Sequence, residues 1–216
     1  MLYPSSMPVV DQSSVKLYER PARAPGKFAV PVSPRVDLFL GCRKQPAVPV
    51  TFTAPAHVTL EGMTPEDDFI LMVKIKDLSV IEWLKGFREF VLEQCKERPQ
   101  LVGVDRSLKL EAAVKLMGSD GMIAVRVPQD GSPYPPHIQF CKTDKEMSHG
   151  PLTNGTVAQL ARMPAETLKR AKVVPQVQIS HLWQDNRGHC GICPRLARMI
   201  VMVPDDTPNP FKAAGF

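Results

Sequence analysis

Twenty-two prolines cut this chain into short segments, and few of the stretches between them are long enough for a helix. Proline has no amide hydrogen to give a helix interior, and its ring clashes with the preceding turn. Each one therefore ends a helix or marks a loop, a strand edge or a bulge. The share is about twice the usual one of about 5%. The prolines concentrate near both ends and between apolar runs, which predicts few long helices and many short strands. The remaining composition is that of a chain that buries a core, with 44% hydrophobic and 23% charged residues, close to ordinary globular usage. At 216 residues the length suits one decorated domain.

The apolar runs alternate with a period of two, as half-buried strands do. Val48, Val50 and Phe52 alternate with Pro49, Thr51 and Thr53, and Phe69, Leu71, Val73 and Ile75 share one face that leaves Lys74 and Lys76 on the other. Strands are predicted at 36–41, 48–53, 57–60, 69–76, 121–127, 136–141, 173–183 and 196–203. Residues 107–117 read equally as helix or strand, and 142–172 as a polar excursion with one or two helical turns. One helix is predicted over 79–97, where Leu84, Phe87, Val91 and Cys95 form a stripe, Ser79 and Glu82 have capping-box spacing and Pro99 follows. Trp183 falls in phase with Val177 and Ile179, and Trp83 flanks the helix stripe, so both read as packed side chains. Residues 1–34 read as an extended, basic, proline-rich arm, 35–203 as a single mainly β domain, and 204–216 as an extended tail. The predicted fold is mainly β with one or two helices, either a decorated oligonucleotide-binding-type barrel or a β-sandwich, carrying proline-rich arms.

The chain contains no phosphate-cradling glycine loop, no G-x-S-x-G elbow and no H-E-x-x-H pair, so no catalytic constellation is legible and no cofactor is expected. The acidic run Glu66, Asp67 and Asp68 reads as a solvated turn. Cys190 and Cys193 form a Cys-x-x-Cys pair, with His181 and His189 as further nitrogen donors, but a structural zinc site normally brings two such pairs. Ordinary thiols are the simpler reading. Five scattered cysteines and a first segment without an apolar signal core predict an intracellular, reducing compartment, and no run is long enough for a membrane span.

The formal net charge is +5, which alone says little about partners. Its distribution says more: between 169 and 198 lie Lys169, Arg170, Lys172, Arg187, Arg195 and Arg198, against Asp185 as the sole acid. If 36–40 is a strand, Val36, Leu38 and Leu40 point inward and Arg35, Asp37 and Phe39 share the outer face. An aromatic among cations on a sheet face is what sequence-tolerant single-strand binding requires, because every base has a stackable face and the cations track phosphates. The candidate contacts are Arg35, Phe39, Arg43, Lys44, Lys74, Lys76, Arg126, Lys172 and Arg198. The alternative for Phe39 is packing beneath the arm or a second sheet.

A family resemblance adds to this reading. Tyr134-Pro135-Pro136-His137-Ile138-Gln139-Phe140 resembles a proline-led strand of the single-stranded DNA-binding proteins of large nucleocytoplasmic DNA viruses. After a spacer, Arg170 to Ile179 continues to His181-Leu182-Trp183, and Asn186-Arg187-Gly188 then leads into Leu196 to Val203 in the same order. Phe211 to Phe216 is similar to the family's closing segment. The resemblance covers mainly 134–216 and implies an oligonucleotide-binding core and a role in DNA replication. The chain departs from the family at Cys190 and Cys193, where glycine and aromatic residues are usual, and in lacking a long acidic tail. The competing expectation is a structural or virion-assembly protein that forms homo-oligomers through its terminal arms.

Overall fold

The structure is a computed structural model describing residues 15–17, 28–41, 50–53, 69–98, 114–115, 121–184 and 190–204. In chain order the elements are β1 (Lys16–Leu17), β2 (Phe28–Phe39), β3 (Val50–Thr53), β4 (Phe69–Lys74), α1 (Leu78–Glu97), β5 (Val114–Lys115), β6 (Met122–Val127), β7 (His137–Cys141), α2 (Asp144–His149), β8 (Thr153–Gly155), α3 (Val157–Ala161), α4 (Ala165–Arg170), β9 (Lys172–Gln184) and β10 (Cys190–Met202). The protein is mainly β, with one mixed sheet of order β1-β2-β9-β10-β6-β4-β3.

β10 organises the sheet. One edge pairs antiparallel with β9 from Cys190 to Met202. The other edge takes three parallel partners in succession: β5 at Cys190 and Gly191, β6 at Arg195, and β7 from Arg198 to Met202. β7 carries β8 on its far side, while β6 leads through β4 to β3. β8 lies so close to β7 that a Cβ on Gly155 would overlap the Phe140 ring, which reserves the position for glycine.

The alternation seen in the sequence matches the burial. Leu71, Val73, Ile123, Val125, Val127, Val177 and Ile179 are fully buried, whereas Lys74 and Arg126 between them are exposed. Onto this apolar face α1 brings Val80, Trp83, Leu84, Phe87, Val91, Leu92 and Cys95, all in one core cluster with the strands. Trp83 stacks on Phe87 at 5.0 Å between ring centroids. Complete burial of such a side chain stabilises by about 1.5–3 kcal/mol.

Three sequence expectations are modified. First, the helix cap is Asp77. Its carboxylate accepts from the Ser79 amide at 2.9 Å and from the Ser79 hydroxyl at 2.6 Å, and Glu82 pairs with Lys85 at 2.8 Å instead. A carboxylate on extended backbone just before the first turn satisfies an orphan amide and opposes the helix dipole, which a serine two residues later cannot do. Second, the described part of the expected arm lies in the sheet: β1 pairs with β2, and β2 runs from Phe28 through the expected boundary at 34. Pro31 and Pro34 fit because the β2–β9 register shifts between Pro31 and Val36. Third, β10 starts at Cys190 rather than at 196, and the 142–172 excursion contains β8 and three short helices. The expected strand at 57–60, the acidic run at 66–68, and the rest of both terminal segments lie outside the described residues.

A smaller apolar cluster sits on the opposite face, where α2 places Met147 against Cys141, Val174, Ile200 and Met202, with Phe39 and Leu152 packed beside it. Burial first, and then the carboxylates of Glu146 and Asp144, push the Cys141 thiol up to about 12. Because the folded value is raised, this neutral thiol favours the fold below the ordinary thiol range, and that contribution is lost as pH rises toward about 12.

Two measurements check these assignments. Asp77→Ala should destabilise by about 1 kcal/mol, lowering the melting temperature by about 2–4 °C, and Ser79→Ala should do less. A larger loss at Ser79 would return the cap to that residue. Peptide-resolved alkylation at mildly alkaline pH should label Cys141 only after unfolding, because the buried thiol lacks the reactive thiolate. Rapid labelling of the folded protein would show that α2 does not cover it.

Candidate nucleic-acid interface

On the sheet's second face, away from α1, the register arranges three of the expected contacts, Phe39, Arg126 and Arg198, in rows. One row crosses the sheet as Asp37 on β2, Gln178 on β9, Arg195 on β10, Arg126 on β6 and Ile70 on β4. The adjacent row is Phe39, Gln176, Arg198 and His137, on β2, β9, β10 and β7. Phe39, Arg126 and Arg198, chosen from separate stretches of sequence, thus share one surface.

A bulge in β10 makes this arrangement possible. Arg195 and Arg198 are three residues apart, and in a regular strand they would point to opposite faces. The β9–β10 register shifts between Leu196 and Arg198, so that Leu196 faces Val177 while Arg198 faces the very next residue, Gln176. One extra residue on the bulged strand turns Arg198 to the side of Arg195. Arg195 is the basic residue missing from the sequence-derived contacts, because the sequence pattern starts the strand one residue after it. Charge on the neighbouring strand also concentrates here, since Arg195 and Arg126 are direct register partners.

Arg195 is held by the turn between β6 and β7. Its Nη2 donates to the Tyr134 carbonyl and, at 3.4 Å, to Ser132 Oγ, and its guanidinium carbon lies 5.7 Å from the Tyr134 ring centroid. Tyr134 is 72% exposed. The same turn is fixed at its other end by Asp130, whose two carboxylate oxygens accept from Val157 N at 2.9 Å and Ala158 N at 3.0 Å at the start of α3. Tyr134 carries weight in the sequence only as part of a proline-led strand. The signal for its exposure is its place in Gly131-Ser132-Pro133-Tyr134-Pro135-Pro136, a turn composition that belongs on a surface.

The other expected residues have varied surroundings. Lys74 and Lys76 are exposed at the β4 end of the face. Lys172 is half-buried, with Nζ 3.1 Å from both carboxylate oxygens of Asp144. Arg198 donates from Nη2 to Gln139 Oε1 at 2.9 Å, and Gln139 in turn reaches Asn154 at 3.4 Å. Phe39 is on the expected face but half-buried against the small cluster under α2, with Val36, Leu38 and Leu40 fully inward on the other side. Arg35 is a residue of β2 whose side chain lies outside the described residues, and Arg43 and Lys44 lie wholly outside them. His189 is also outside, as are the side chains of His181, Cys190 and Cys193. Among the described residues no group of three or more His, Cys, Asp or Glu is placed to hold a metal ion. No described helix is long and apolar enough to cross a membrane.

Chemically the face offers fixed cations, half-buried amides at Gln176 and Gln178, and an exposed aromatic ring, with no nucleophile and base brought together among these residues. Such a set is chemically suited to anions and planar groups. Comparison with family models, with curated proteins and with solved structures gives no match.

Proposed function

We propose that the chain binds single-stranded nucleic acid without strong sequence preference, across the face built by β2, β9, β10, β6 and β4. The observation that carries this reading is the register pairing of Arg195 with Arg126 on a face that also presents Arg198 and Lys74. Two guanidiniums on neighbouring strands concentrate positive charge, and a polyanion lying across them releases its own bound cations. Backbone phosphates supply such an anion in a continuous string. Gln176 and Gln178 add donors and acceptors that do not discriminate among bases. Lys172 contributes less, because Asp144 already compensates it. Phe39 serves as a stacking surface only at its open edge.

The finer architecture proposed with this function is a decorated oligonucleotide-binding-type barrel with proline-rich arms, related to the viral single-stranded DNA-binding proteins that the C-terminal half resembles. Its support is a mainly β core with a long helix on the apolar face and a basic opposite face. A reducing, intracellular setting fits Cys95 and Cys141, both of which are buried thiols.

Fluorescence anisotropy of a labelled single strand over a salt series tests the reading. Affinity should fall steeply as salt rises, and the single strand should bind more tightly than a duplex. Replacing both cations, Arg126→Gln with Arg195→Gln, should reduce the log–log salt slope by about 1.4, since each neutralised phosphate of a single strand accounts for about 0.7. Absence of binding, or a slope untouched by the double variant while its melting temperature is preserved, would sink the proposal.

A further inference from the structure

We infer that Tyr134 is a preformed stacking platform for an unpaired nucleobase. The inference rests on the single-strand reading above and gives it the element that recognises a base rather than a phosphate. Tyr134 combines 72% exposure with a backbone held by Arg195. Its carbonyl and the neighbouring Ser132 hydroxyl accept from Arg195, and the Arg195 guanidinium lies 5.7 Å from the ring centroid. Ser132 N donates to Gln129 O at 3.0 Å to close the turn, and Asp130 ties that turn to the first amides of α3. The ring therefore waits in place, and a base that stacks on it does not bear the cost of ordering a loose side chain.

Location gives the ring its partner. β10 exchanges β6 for β7 at this point, and the connecting turn brings Tyr134 beside Arg195, the register partner of Arg126. A strand whose phosphates run across those two arginines presents its bases at the edge where the ring stands. In a duplex the same bases are stacked and paired, so the platform acts only on unpaired nucleotides. An exposed ring placed for packing against a protein partner would instead be joined by other exposed apolar side chains. Among the residues whose side chains are described, Leu78 is the only other large hydrophobic of comparable exposure, and it opens α1, the helix that packs on the opposite, apolar face.

The test compares a single-stranded oligonucleotide with an abasic strand of the same length and charge, each titrated against the native chain, Tyr134→Ala and Tyr134→Phe. The native chain should prefer the base-bearing strand. Tyr134→Ala should weaken binding of that strand by about 5- to 150-fold, the loss of one stacked base. The same variant should leave abasic binding and the salt slope unchanged, and Tyr134→Phe should bind both strands as the native chain does. Equal weakening on both strands would overturn the inference, because the ring would then act only by holding Arg195. Native affinity of Tyr134→Ala for the base-bearing strand would also overturn it while leaving the phosphate-binding reading intact. Failure of the native chain to bind either strand would remove both.

Discussion

Every part of this fold depends on how β10 satisfies the hydrogen bonds of its two edges. A buried strand cannot leave amides and carbonyls unpaired, and β10 is 13 residues long. β9 is equally long and covers one edge by itself. The second edge is divided among β5, β6 and β7, each too short to cover it alone. The division fixes where the chain must turn. It places the 128–136 turn at the middle of β10 and sends β7 on to the excursion of α2, β8, α3 and α4.

The chemistry of the outer face follows from the same constraint. A long strand that changes partners departs from a flat ladder, and β10 does so with register shifts on both sides of Pro194 and Leu196. The second shift puts Arg195 and Arg198 on one surface, and the turn that follows β6 puts Tyr134 beside Arg195. The geometry of this face results from the way strands pair along the two longest ones, and its basic residues are spaced by the sheet's register rather than by their sequence separation. α2 then limits the face at one end, where its Met147 covers Cys141, Ile200 and Met202 and leaves Phe39 half-buried.

Local features of the sequence are sufficient for the elements whose signal is local. The alternation in β4 and β6, the inward phase of Val36, Leu38 and Leu40, and the stripe of α1 are all legible, because each residue reports on its own neighbours. The cap of α1 is misread by two residues because Ser79 and Glu82 imitate a capping box while Asp77 supplies the stronger acceptor. The start of β10 is hidden because Pro194 interrupts the apolar alternation, and the sheet accommodates it beside a register shift. Phe39 is phased correctly, but its cover arrives from α2, more than a hundred residues away in the chain, and no local pattern announces that packing. The facing of Arg195 and the exposure of Tyr134 escape the sequence for the same kind of reason. The orientation of one and the exposure of the other depend on the bulge and on which strands β10 recruits.

The proposed function requires that the β10 face, and not the α1 side or a terminal segment, bind the nucleic acid. Zero-length ultraviolet cross-linking of a single strand to the full chain, followed by peptide mapping, tests this most directly. Adducts should concentrate in the peptides that contain Arg126, Tyr134, Arg195 and Arg198. Adducts confined to the α1 peptide of 78–97, or to peptides remote from β6, β7 and β10, would contradict it.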